Sequence, residues 1–470
     1  MIASDRLALK VGSSKLVVDG TDETLVRKAE ISLSPGRVKA RALDALVGWS
    51  RAVYNGALEH RRDAWRISKV AVSRFDQFNE VPSLRAECGE VARFGIQPAR
   101  GAITRVDESF AGFFRRVGEG QTPGYPRFKS ARRFRTVFYD EPTSWSLRGL
   151  GHASAKGQRP ALYVQGVGEI ALSKGAGRQL ERLLGRGGEP RTLTISRTPS
   201  GAWRATIGFR GVRAKPLAPS TQVGGVDRGV WVTAAMPDGT LLTCPSFLHQ
   251  ARQQISALSQ ERELHAQFSP EWRRANKTIA KAYRKAHHQS ENWARHRAIE
   301  IVAAYGVISL EDLNLTNMTK SAKGTLASPG TRVAQKQGLN RSLQDAALGR
   351  LAYWICVKAE EAGRRVWKVD PKNSSRECAS CGHTDKANRH RTKFACTRCA
   401  HAEHADVNAA QILTARGQAA EARWHAAGNP LLTRPVPKYQ RRKATPGVDQ
   451  LADAGDVQLG AGSAPHAAVA

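Results

Sequence analysis

The chain lacks any run of about 18 apolar residues, the length that a membrane-spanning helix requires. Its first residues, MIASDRLALKVGSSKLVV, also lack the continuous apolar segment of a secretory signal. We therefore expect no membrane contact. A cytoplasmic location is expected instead, next to the nucleoid in a prokaryote.

Acidic residues are scarce relative to basic ones. The 470 residues include 73 lysines and arginines against 41 aspartates and glutamates, which gives a formal net charge of +32. Such a surplus attracts polyanions and favours nucleic acid as a partner, because neutralised phosphates release their counterions. Hydrophobic residues still make up 41% of the chain, so the sequence predicts a folded protein of several units and not a basic tail.

Cysteine is also infrequent, and four of the seven residues form two Cys-x-x-Cys pairs, Cys378/Cys381 and Cys396/Cys399. Four thiolates at this spacing are typical of a closed tetrahedral site that favours zinc and leaves no position for a substrate. We therefore predict one structural Zn²⁺ in a ribbon. The other cysteines are scattered, which favours buried apolar roles in a reducing compartment over a disulfide framework. These are Cys88, Cys244 and Cys356.

Acids occur where predicted core elements end or begin. Asp227 follows VGGV, Glu311 and Asp312 follow VISL, and Asp406 begins the helix after the second cysteine pair. Carboxylates from separate elements can together hold two divalent ions, and such hard oxygen ligands prefer Mg²⁺ or Mn²⁺. Alternate residues of a strand share a face, so only one of Glu311 and Asp312 is expected to join Asp227, and spacing alone does not choose. Taken singly, each acid could instead be a helix cap or a surface group, and Asp406 is a plausible N-cap.

The order of predicted elements after residue 222 supports a shared role for these acids. A strand with Asp227 is followed by hairpin strands, helices, a strand with Glu311, a helix, a strand and the helix with Asp406. This is the order expected of a ribonuclease-H-like α/β core, with the cysteine region inserted before the last helix. Fold alone does not establish function.

Six motifs occur together in the order of one known family: GGVDRGV with a following PDG, ISLEDLNLTNM, LNRSLQDAALGRL, KVDPKNSSRECASCG, FACTRCA and HADVNAAQIL. They resemble the RuvC-type nuclease half of TnpB proteins and compact type V CRISPR effectors. YPRFKSARRFRTVFY and LTISRTPSGAWRATI resemble the recognition and wedge regions of that family, so the resemblance covers residues 28–415.

The resemblance implies catalytic metal ligands at Asp227, at Glu311 (not Asp312) and at Asp406. Mg²⁺ or Mn²⁺ would bind there. Two positions depart from the family pattern. Arg228 stands where an apolar residue is usual, and His404-Ala405-Asp406 stands where Asp-Arg-Asp is usual.

The fold class implied is α+β and multidomain: a ribonuclease-H-like (RuvC) α/β nuclease core with an inserted zinc ribbon, preceded by a β-barrel-like wedge domain with an inserted helical recognition domain. The predicted boundaries are a flexible leader at 1–27, a wedge strand at 28–37, the helical recognition domain at 38–145, the second wedge part at 146–213, a linker at 214–222, the RuvC-like core at 223–376 with a helical hairpin at 247–304, the zinc ribbon at 377–401, the last RuvC segment at 402–416 and a flexible tail at 417–470.

Between residues 112 and 135 cations alternate with aromatic residues, and Glu119 is the only acid. Cations engage phosphates while aromatic rings can stack on bases, although about half of these side chains would also suit a core with solvated arginines. In the family this region lies against the guide–target duplex, where base pairing reads the sequence. The predicted nucleic-acid-binding residues are Arg115, Arg116, Arg127, Lys129, Arg132, Arg133, Arg135 and the family-like positions Tyr54 and Asn55.

The function that these features predict is RNA-guided cleavage of double-stranded DNA, with guide RNA and target DNA as partners. The residues do not distinguish a transposon-associated guide from a CRISPR guide. Two alternatives stay open. One is a non-cleaving RNA-guided or plain DNA-binding regulator, which Arg228 would allow, and the other is a transposase that uses similar acids for strand transfer.

Overall fold

A computed structural model of the chain describes residues 9–11, 14–83, 88–150, 158–325 and 328–427. The elements up to residue 213 are β1 (Leu9–Val11), β2 (Ser14–Val18), β3 (Thr24–Leu33), α1 (Arg37–Ser68), α2 (Arg74–Glu80), α3 (Gly89–Phe94), α4 (Gln97–Gly118), β4 (Thr136–Tyr139), β5 (Trp145–Arg148), β6 (Ala161–Val164), β7 (Gly168–Ala171), α5 (Lys174–Leu184), β8 (Glu189–Arg197) and β9 (Trp203–Arg213).

The elements from residue 223 onward include two long helices and a parallel set of strands. They are β10 (Val223–Val226), β11 (Ala234–Ala235), β12 (Leu241–Leu242), α6 (Phe247–Glu263), α7 (Pro270–Ala304), β13 (Val307–Glu311), α8 (Leu315–Met318), α9 (Val333–Asp345), α10 (Leu348–Ala362), β14 (Arg365–Val369), a 3₁₀ turn (Lys386–Asn388), β15 (Arg389–His390), β16 (Lys393–Ala395), β17 (Ala402–His404) and α11 (Ala405–Ala426).

An antiparallel sheet of order β3-β9-β8-β4 forms the centre of the N-terminal half. Alternate residues of β9 face the same side, which is why Ala205, Ile207 and Phe209 are all fully buried. The smaller sheet β5-β6-β7 and the helices α1 and α5 contribute to the same apolar cluster. This β unit and the helices around it share one core.

Helices α1 and α4 pack against each other beside that core. Leu58 of α1 and Val106 of α4 are buried in one cluster with Phe134, which precedes β4. Phe134 thereby fixes the end of the basic segment 119–135 to the helical pair. The segment is held at its C-terminal end by packing and not by regular secondary structure.

A five-stranded sheet of order β1-β2-β14-β13-β10 organises the C-terminal half. Strands β10, β13 and β14 are parallel, and β2 is antiparallel to β14. On one face Ile308 and Leu310 of β13 join residues of α7 and α10 in an apolar cluster. On the other face Val307 joins Leu413 and Trp424 of α11. Helices therefore cover both faces, as parallel sheets require.

The boundaries of both expected flexible ends are wrong, and in both cases burial explains why. In the expected leader, Ser14–Val18 is a strand paired with β14, and β3 already begins at Thr24. Leu16 is 5% exposed on the face that α11 covers, so this strand adds to the core. Residues 1–8 and 12–13 lie outside the described residues.

The expected flexible tail also begins too early, because α11 continues to Ala426. Trp424 packs against Trp367 with ring centroids 6.0 Å apart, and Glu421 accepts a hydrogen bond of 2.8 Å from the Trp367 indole. Residues 428–470 of that tail lie outside the described residues. Beyond the expected ribbon boundary, β17 pairs with β16, so the small sheet extends to His404.

The mixed α+β class is confirmed. No helix within the described ranges is long and apolar enough to cross a membrane.

Candidate functional site

The side chains of Asp227 and Glu311 meet at one end of the five-stranded sheet. Val226 of β10 pairs with Leu310 of β13 in parallel register, so the next residue of each strand stands side by side. Strand alternation places Glu311 on the same face as Val307 and Asp227 on the same face as Val223, and both valines pack toward α11. The carboxyl ends of two adjacent parallel strands thus present two acids under one helix.

The same alternation turns Asp312 away from this site. Its carboxylate forms an ion pair with Lys15 of β2 and lies 3.8 Å from the ammonium of Lys368 on β14. The structure therefore places Glu311, and not Asp312, beside Asp227. The packing of α11 on one face of β13 and the ion pairs of Asp312 on the other carry this distinction, which spacing in the sequence could not.

Helix α11 brings Asp406 to the other two acids. The helix crosses close over β10 at Gly225, where an added Cβ would lie 2.2 Å from the carbonyl oxygen of Ala410. The amide of Gly225 also donates a 2.8 Å hydrogen bond to the hydroxyl of Thr414. This close approach requires glycine in the strand. The crossing at Gly225 places the first turn of α11 above the carboxyl ends of β10 and β13.

Asp406 lies in the first turn of α11, where the helix dipole favours a negative charge. It is not the N-cap, because the ring of His404 takes that place and accepts a hydrogen bond of 3.3 Å from the Asp406 amide. The Asp406 carboxylate instead accepts a 2.7 Å hydrogen bond from the guanidinium of Arg389, on strand β15 of the cysteine region. Sequence reasoning missed Arg389. Only its place among the basic residues of that loop could have suggested it.

The three acids are electrostatically coupled. Burial, followed by the neighbouring carboxylates of Glu311 and Asp406, raises the pKa of Asp227 well above its usual range. Burial likewise raises the pKa of Glu311, and the Arg228 guanidinium opposes that shift. The carboxyl groups of Asp227 and Glu311 also interact directly with each other. Without a cation this cluster resists full ionisation.

Three carboxylates are a donor set that fits Mg²⁺ or Mn²⁺. In the described part of the chain, the four cysteines are the one group of three or more His, Cys, Asp or Glu side chains whose ligand atoms all lie within 4.8 Å of one another. Mg²⁺ is usually held by one or two carboxylates together with water and substrate phosphates and not by an all-protein cage. The observation that fits a cation is that the pKa values of two neighbouring buried carboxyl groups, Asp227 and Glu311, are both raised.

Arg228 lies buried behind the site, with 8% of its surface exposed. Its guanidinium donates hydrogen bonds to the carbonyl oxygens of Glu311, at 2.7 Å, and of Leu348, at 3.4 Å. Its amide donates to the Glu311 carboxylate at 3.4 Å. The residue that departs from the family pattern therefore joins β10 to β13 and to the start of α10, and it places a fixed positive charge beside two acids.

Replacing Arg228 with methionine is expected to shift upward the pH profile of the metal-dependent cleavage that the sequence predicts. The guanidinium lowers the pKa of Glu311, so its removal makes that carboxyl lose its proton at higher pH. The check is kcat/KM against pH at one fixed Mg²⁺ concentration. Arg228→Lys, which keeps the charge, should shift the profile less, and identical profiles for all three proteins would contradict this role.

The four predicted zinc ligands form one cluster, as expected from their spacing. The Sγ atoms of Cys378 and Cys399 are 3.6 Å apart, as are those of Cys381 and Cys396. A disulfide would need about 2.05 Å, whereas thiolates about 2.3 Å from one tetrahedral ion stand roughly 3.8 Å apart. The cluster therefore fits a single four-coordinate metal ion.

Two buried asparagines support this cluster: one joins its two halves, and the other connects it to α11. The Asn388 amide donates to the carbonyl oxygens of Arg376 and His383 and accepts from the amide of Thr397, which joins the two cysteine knuckles. Asn408 of α11 accepts from the amide of Ala379 at 3.0 Å and donates to the carbonyl of Glu377 at 2.8 Å. Asn408 is two residues from Asp406, so the same helical turn holds the knuckle and the acid.

Asn408→Ala is expected to lower the free energy of unfolding by about 2 kcal/mol or more. The substitution leaves two backbone groups without partners, and each such buried group costs ~1–3 kcal/mol. Urea denaturation of the purified chain measures the change. Gln411→Ala is the control, because Gln411 lies on the same helix but bonds only to the partly exposed Glu403. Equal stability of the two variants would contradict a structural role for Asn408.

The residues predicted to bind nucleic acid divide by exposure. Arg115, Arg127, Arg132 and Arg133 are exposed, whereas Arg116, Lys129 and Arg135 are partly buried. Arg116 and Arg135 bond to backbone carbonyls of their own segment. The Arg132 guanidinium lies over the ring of Phe268, 4.1 Å from its centroid, in the connection between α6 and α7.

Tyr54 does not fit the expected contact with nucleic acid. It is 2% exposed and packs against Phe134, with ring centroids 5.7 Å apart. Asn55 beside it exchanges two hydrogen bonds with the backbone of Lys129, at 2.9 and 3.1 Å. Both residues hold the basic segment against α1, which explains their place in the sequence pattern without a ligand.

Comparison with known proteins finds a matching domain model, similar sequences and a similar fold. Residues 349–413 match the model of the Cas12f1-like TNB domain. InsQ of Escherichia coli K12, named as a candidate RNA-guided DNA endonuclease, is 25% identical over 404 residues, which are 83% of this chain and 92% of that protein. A protein of Streptomyces pristinaespiralis with the same kind of name is also 25% identical, over 83% of this chain and 88% of its own.

A solved structure shares the fold. The Cas12f1 chain in a cryo-EM structure of its complex with sgRNA and target DNA superposes with a TM-score of 0.52 and 13% sequence identity. The match covers 84% of this chain and 99% of that one. Over most of its length the chain is therefore similar to proteins named as RNA-guided DNA endonucleases, and residues 349–413 match a Cas12f1-like domain.

Proposed function

We propose that this protein is an RNA-guided DNA endonuclease with a single RuvC-type site, either transposon-associated or a type V CRISPR effector. The observation that carries the proposal is the meeting of Asp227, Glu311 and Asp406 at one end of the parallel strands. The names of InsQ and of the Streptomyces relative, which align with 83% of the chain, support it. So does the formal charge of +32.

The three acids would hold Mg²⁺ or Mn²⁺ against the scissile phosphate. When bound, such ions orient an attacking water and stabilise the leaving oxygen of a phosphodiester. The chain supplies the frame for this chemistry: β10 and β13 fix Asp227 and Glu311, and α11 fixes Asp406. Arg389 of the ribbon forms an ion pair with Asp406 at 2.7 Å.

The cysteine cluster would hold one structural Zn²⁺ in a ribbon around 377–404. Its connection to the site is direct, because Arg389 of the ribbon bonds to Asp406 and Asn408 bonds to the first knuckle. We assign the five-stranded sheet and its helices to a RuvC-like core, and the N-terminal sheets to a wedge domain with α1–α4 as its recognition helices.

Guide RNA and the target duplex would occupy the basic surfaces of the N-terminal half. The exposed arginines of the segment 119–135, together with Arg115, are placed to contact phosphates. Base pairing with the guide would supply sequence recognition, so the protein needs to read only backbone shape and a short motif beside the target. A protein of this kind acts where the cell keeps its DNA.

The alternatives make different use of the same residues. A regulator that does not cleave has no need for three coupled acids, whose close placement costs free energy unless a cation compensates. A transposase would use the acids but would not require a guide. Sequencing the small RNA that copurifies with the full chain tests the proposal. One dominant RNA species is expected, and absence of bound small RNA would contradict it.

A further inference from the structure

Trp231 lies at the tip of the turn that follows Asp227 and is 88% exposed. The turn is tight: the Gly229 amide donates a 3.0 Å hydrogen bond to the carbonyl of Val232. Asp227 and Ala235 bond to each other on either side of it, at 2.9 and 3.1 Å. The indole ring thus stands on a short hairpin that starts at the first acid of the site.

The hairpin is fixed from two sides. Arg228 bonds to the backbone of Glu311 and of Leu348, and Val230 packs on the apolar cluster at the junction of α9 and α10. Within the described part of the chain, no aromatic ring or cation stacks on Trp231. A turn held this firmly presents its one large apolar side chain to solvent, so its exposure is not the result of a loose loop.

The distance to the site is short. Trp231 is four residues from Asp227, and a fully extended chain spans at most about 3.6 Å per residue, so the two Cα atoms are within roughly 14 Å. Successive nucleotides of a stacked strand are separated by about 3.4 Å. A DNA strand that ran from the three-acid site toward the hairpin would therefore reach the indole within about four nucleotides.

We propose that Trp231 is a substrate-binding residue that stacks on a nucleobase of the single DNA strand held for cleavage. The inference rests on the proposed function and adds the mode of strand binding next to the metal ligands. An aromatic face accepts any base, which suits an enzyme whose sequence recognition comes from its guide. A protein partner would also cover a tryptophan, and the experiment separates the two.

The test uses the full chain with its copurified RNA and 5′-labelled single-stranded oligonucleotides. Trp231→Ala is expected to raise KM for the oligonucleotide about tenfold, within the range of aromatic stacking on a base, with a smaller change in kcat. Trp231→Phe should restore KM to near the wild-type value. Leu264→Ala, which removes an 84% exposed apolar side chain that follows α6, is the control for lost exposed apolar surface and should leave KM unchanged.

A substrate with one abasic residue identifies the stacked position. At that position the KM of the wild type should rise by the same factor as the KM of Trp231→Ala rises on the intact strand. The KM of Trp231→Ala should not rise further. Equal KM for wild type and Trp231→Ala on the intact strand would overturn the proposal. A changed oligomeric state of the variant with unchanged KM would assign the residue to protein contact and would also overturn it.

Photo-crosslinking distinguishes a failure of the stacking proposal from a failure of the proposed nuclease function. Oligonucleotides carrying 5-iodouracil are irradiated with the chain, and the modified residue is identified by mass spectrometry. A crosslink at Trp231 is expected even if the wild type cuts no DNA, a result that would refute only the proposed function. A chain that cuts the oligonucleotide but crosslinks only elsewhere would refute the stacking role alone.

Discussion

Replacing Asp227 with asparagine, or Glu311 with glutamine, is expected to reduce Mg²⁺-dependent DNA cleavage by more than about 100-fold. Residues that only position metal ligands already cost 10–100-fold when changed, so loss of a ligand itself should cost at least as much. RNA binding should not change, because both acids lie at the sheet end and not on the basic N-terminal surfaces. Plasmid cleavage and RNA copurification measure the two properties.

Asp312→Asn is the matched control for this prediction. Asp312 is adjacent to Glu311 in the chain, yet its carboxylate contacts Lys15 and Lys368 on the opposite face of the sheet. Its variant should keep cleavage within a few-fold of wild type, as is usual for partly exposed ion pairs of small energy. Full activity of Asp227→Asn, or equal losses for Glu311→Gln and Asp312→Asn, would contradict the site.

Asp227→Asn should be more stable than wild type in EDTA at neutral pH. An acid whose pKa is raised by folding contributes stability below its unfolded pKa and loses it as pH rises through the folded value. Asp227 is such an acid, so at neutral pH the metal-free chain carries an unfavourable contribution that asparagine removes. The Tm of Asp227→Asn in EDTA should exceed that of wild type, and the difference should be smaller at pH 4 than at neutral pH. Such a rise would show that the variant loses activity without losing its folded structure.

Cys381→Ser is expected to abolish zinc binding and to lower cleavage by about 100-fold. Removal of one thiolate opens the four-coordinate site, and metal binding is what folds such small ribbons. Arg389 and Asn408 connect the ribbon to the first turn of α11, so Asp406 loses its support, and misplacement by about 1 Å can cost about 100-fold in rate. Zinc content and cleavage rate are measured on the same sample.

Cys381 is the informative choice because it is exposed, whereas Cys378 and Cys396 also pack in the ribbon core with Phe394. Cys88→Ser is the control, since that thiol lies far along the chain and bonds only weakly to Glu90. It should keep both zinc and activity. A Cys381→Ser protein that loses zinc but cleaves at the wild-type rate would show that the ribbon does not support Asp406.

The sequence predicted the parts of the site that depend on residue type and spacing. Four cysteines at ribbon spacing come together, and the mixed α+β class is confirmed. The choice between Glu311 and Asp312 needed the family resemblance at the sequence level. In the structure it follows from which face of β13 is covered by α11, a property of packing that neighbouring letters do not contain.

Other features depended on contacts between distant segments. Ser14–Val18 carries too little pattern to be assigned as a strand, and its partner β14 begins some 350 residues later. Tyr54 matched a family position, but its burial against Phe134 depends on how the basic segment folds back on α1. Arg389 is one of several basic residues in its loop and Asn408 is a single polar residue in a buried stretch of α11, and only the fold shows that they hold Asp406 and the ribbon together.

Cleavage directed by the bound RNA tests the central claim most directly. The full chain, purified with its RNA, is incubated in Mg²⁺ with plasmids that carry either the sequence complementary to the variable end of that RNA or a scrambled version. The account predicts Mg²⁺-dependent cutting of the matching plasmid alone, and none by Asp227→Asn. Equal cutting of both plasmids, or no cutting of the matching one across a library of flanking sequences, would contradict it.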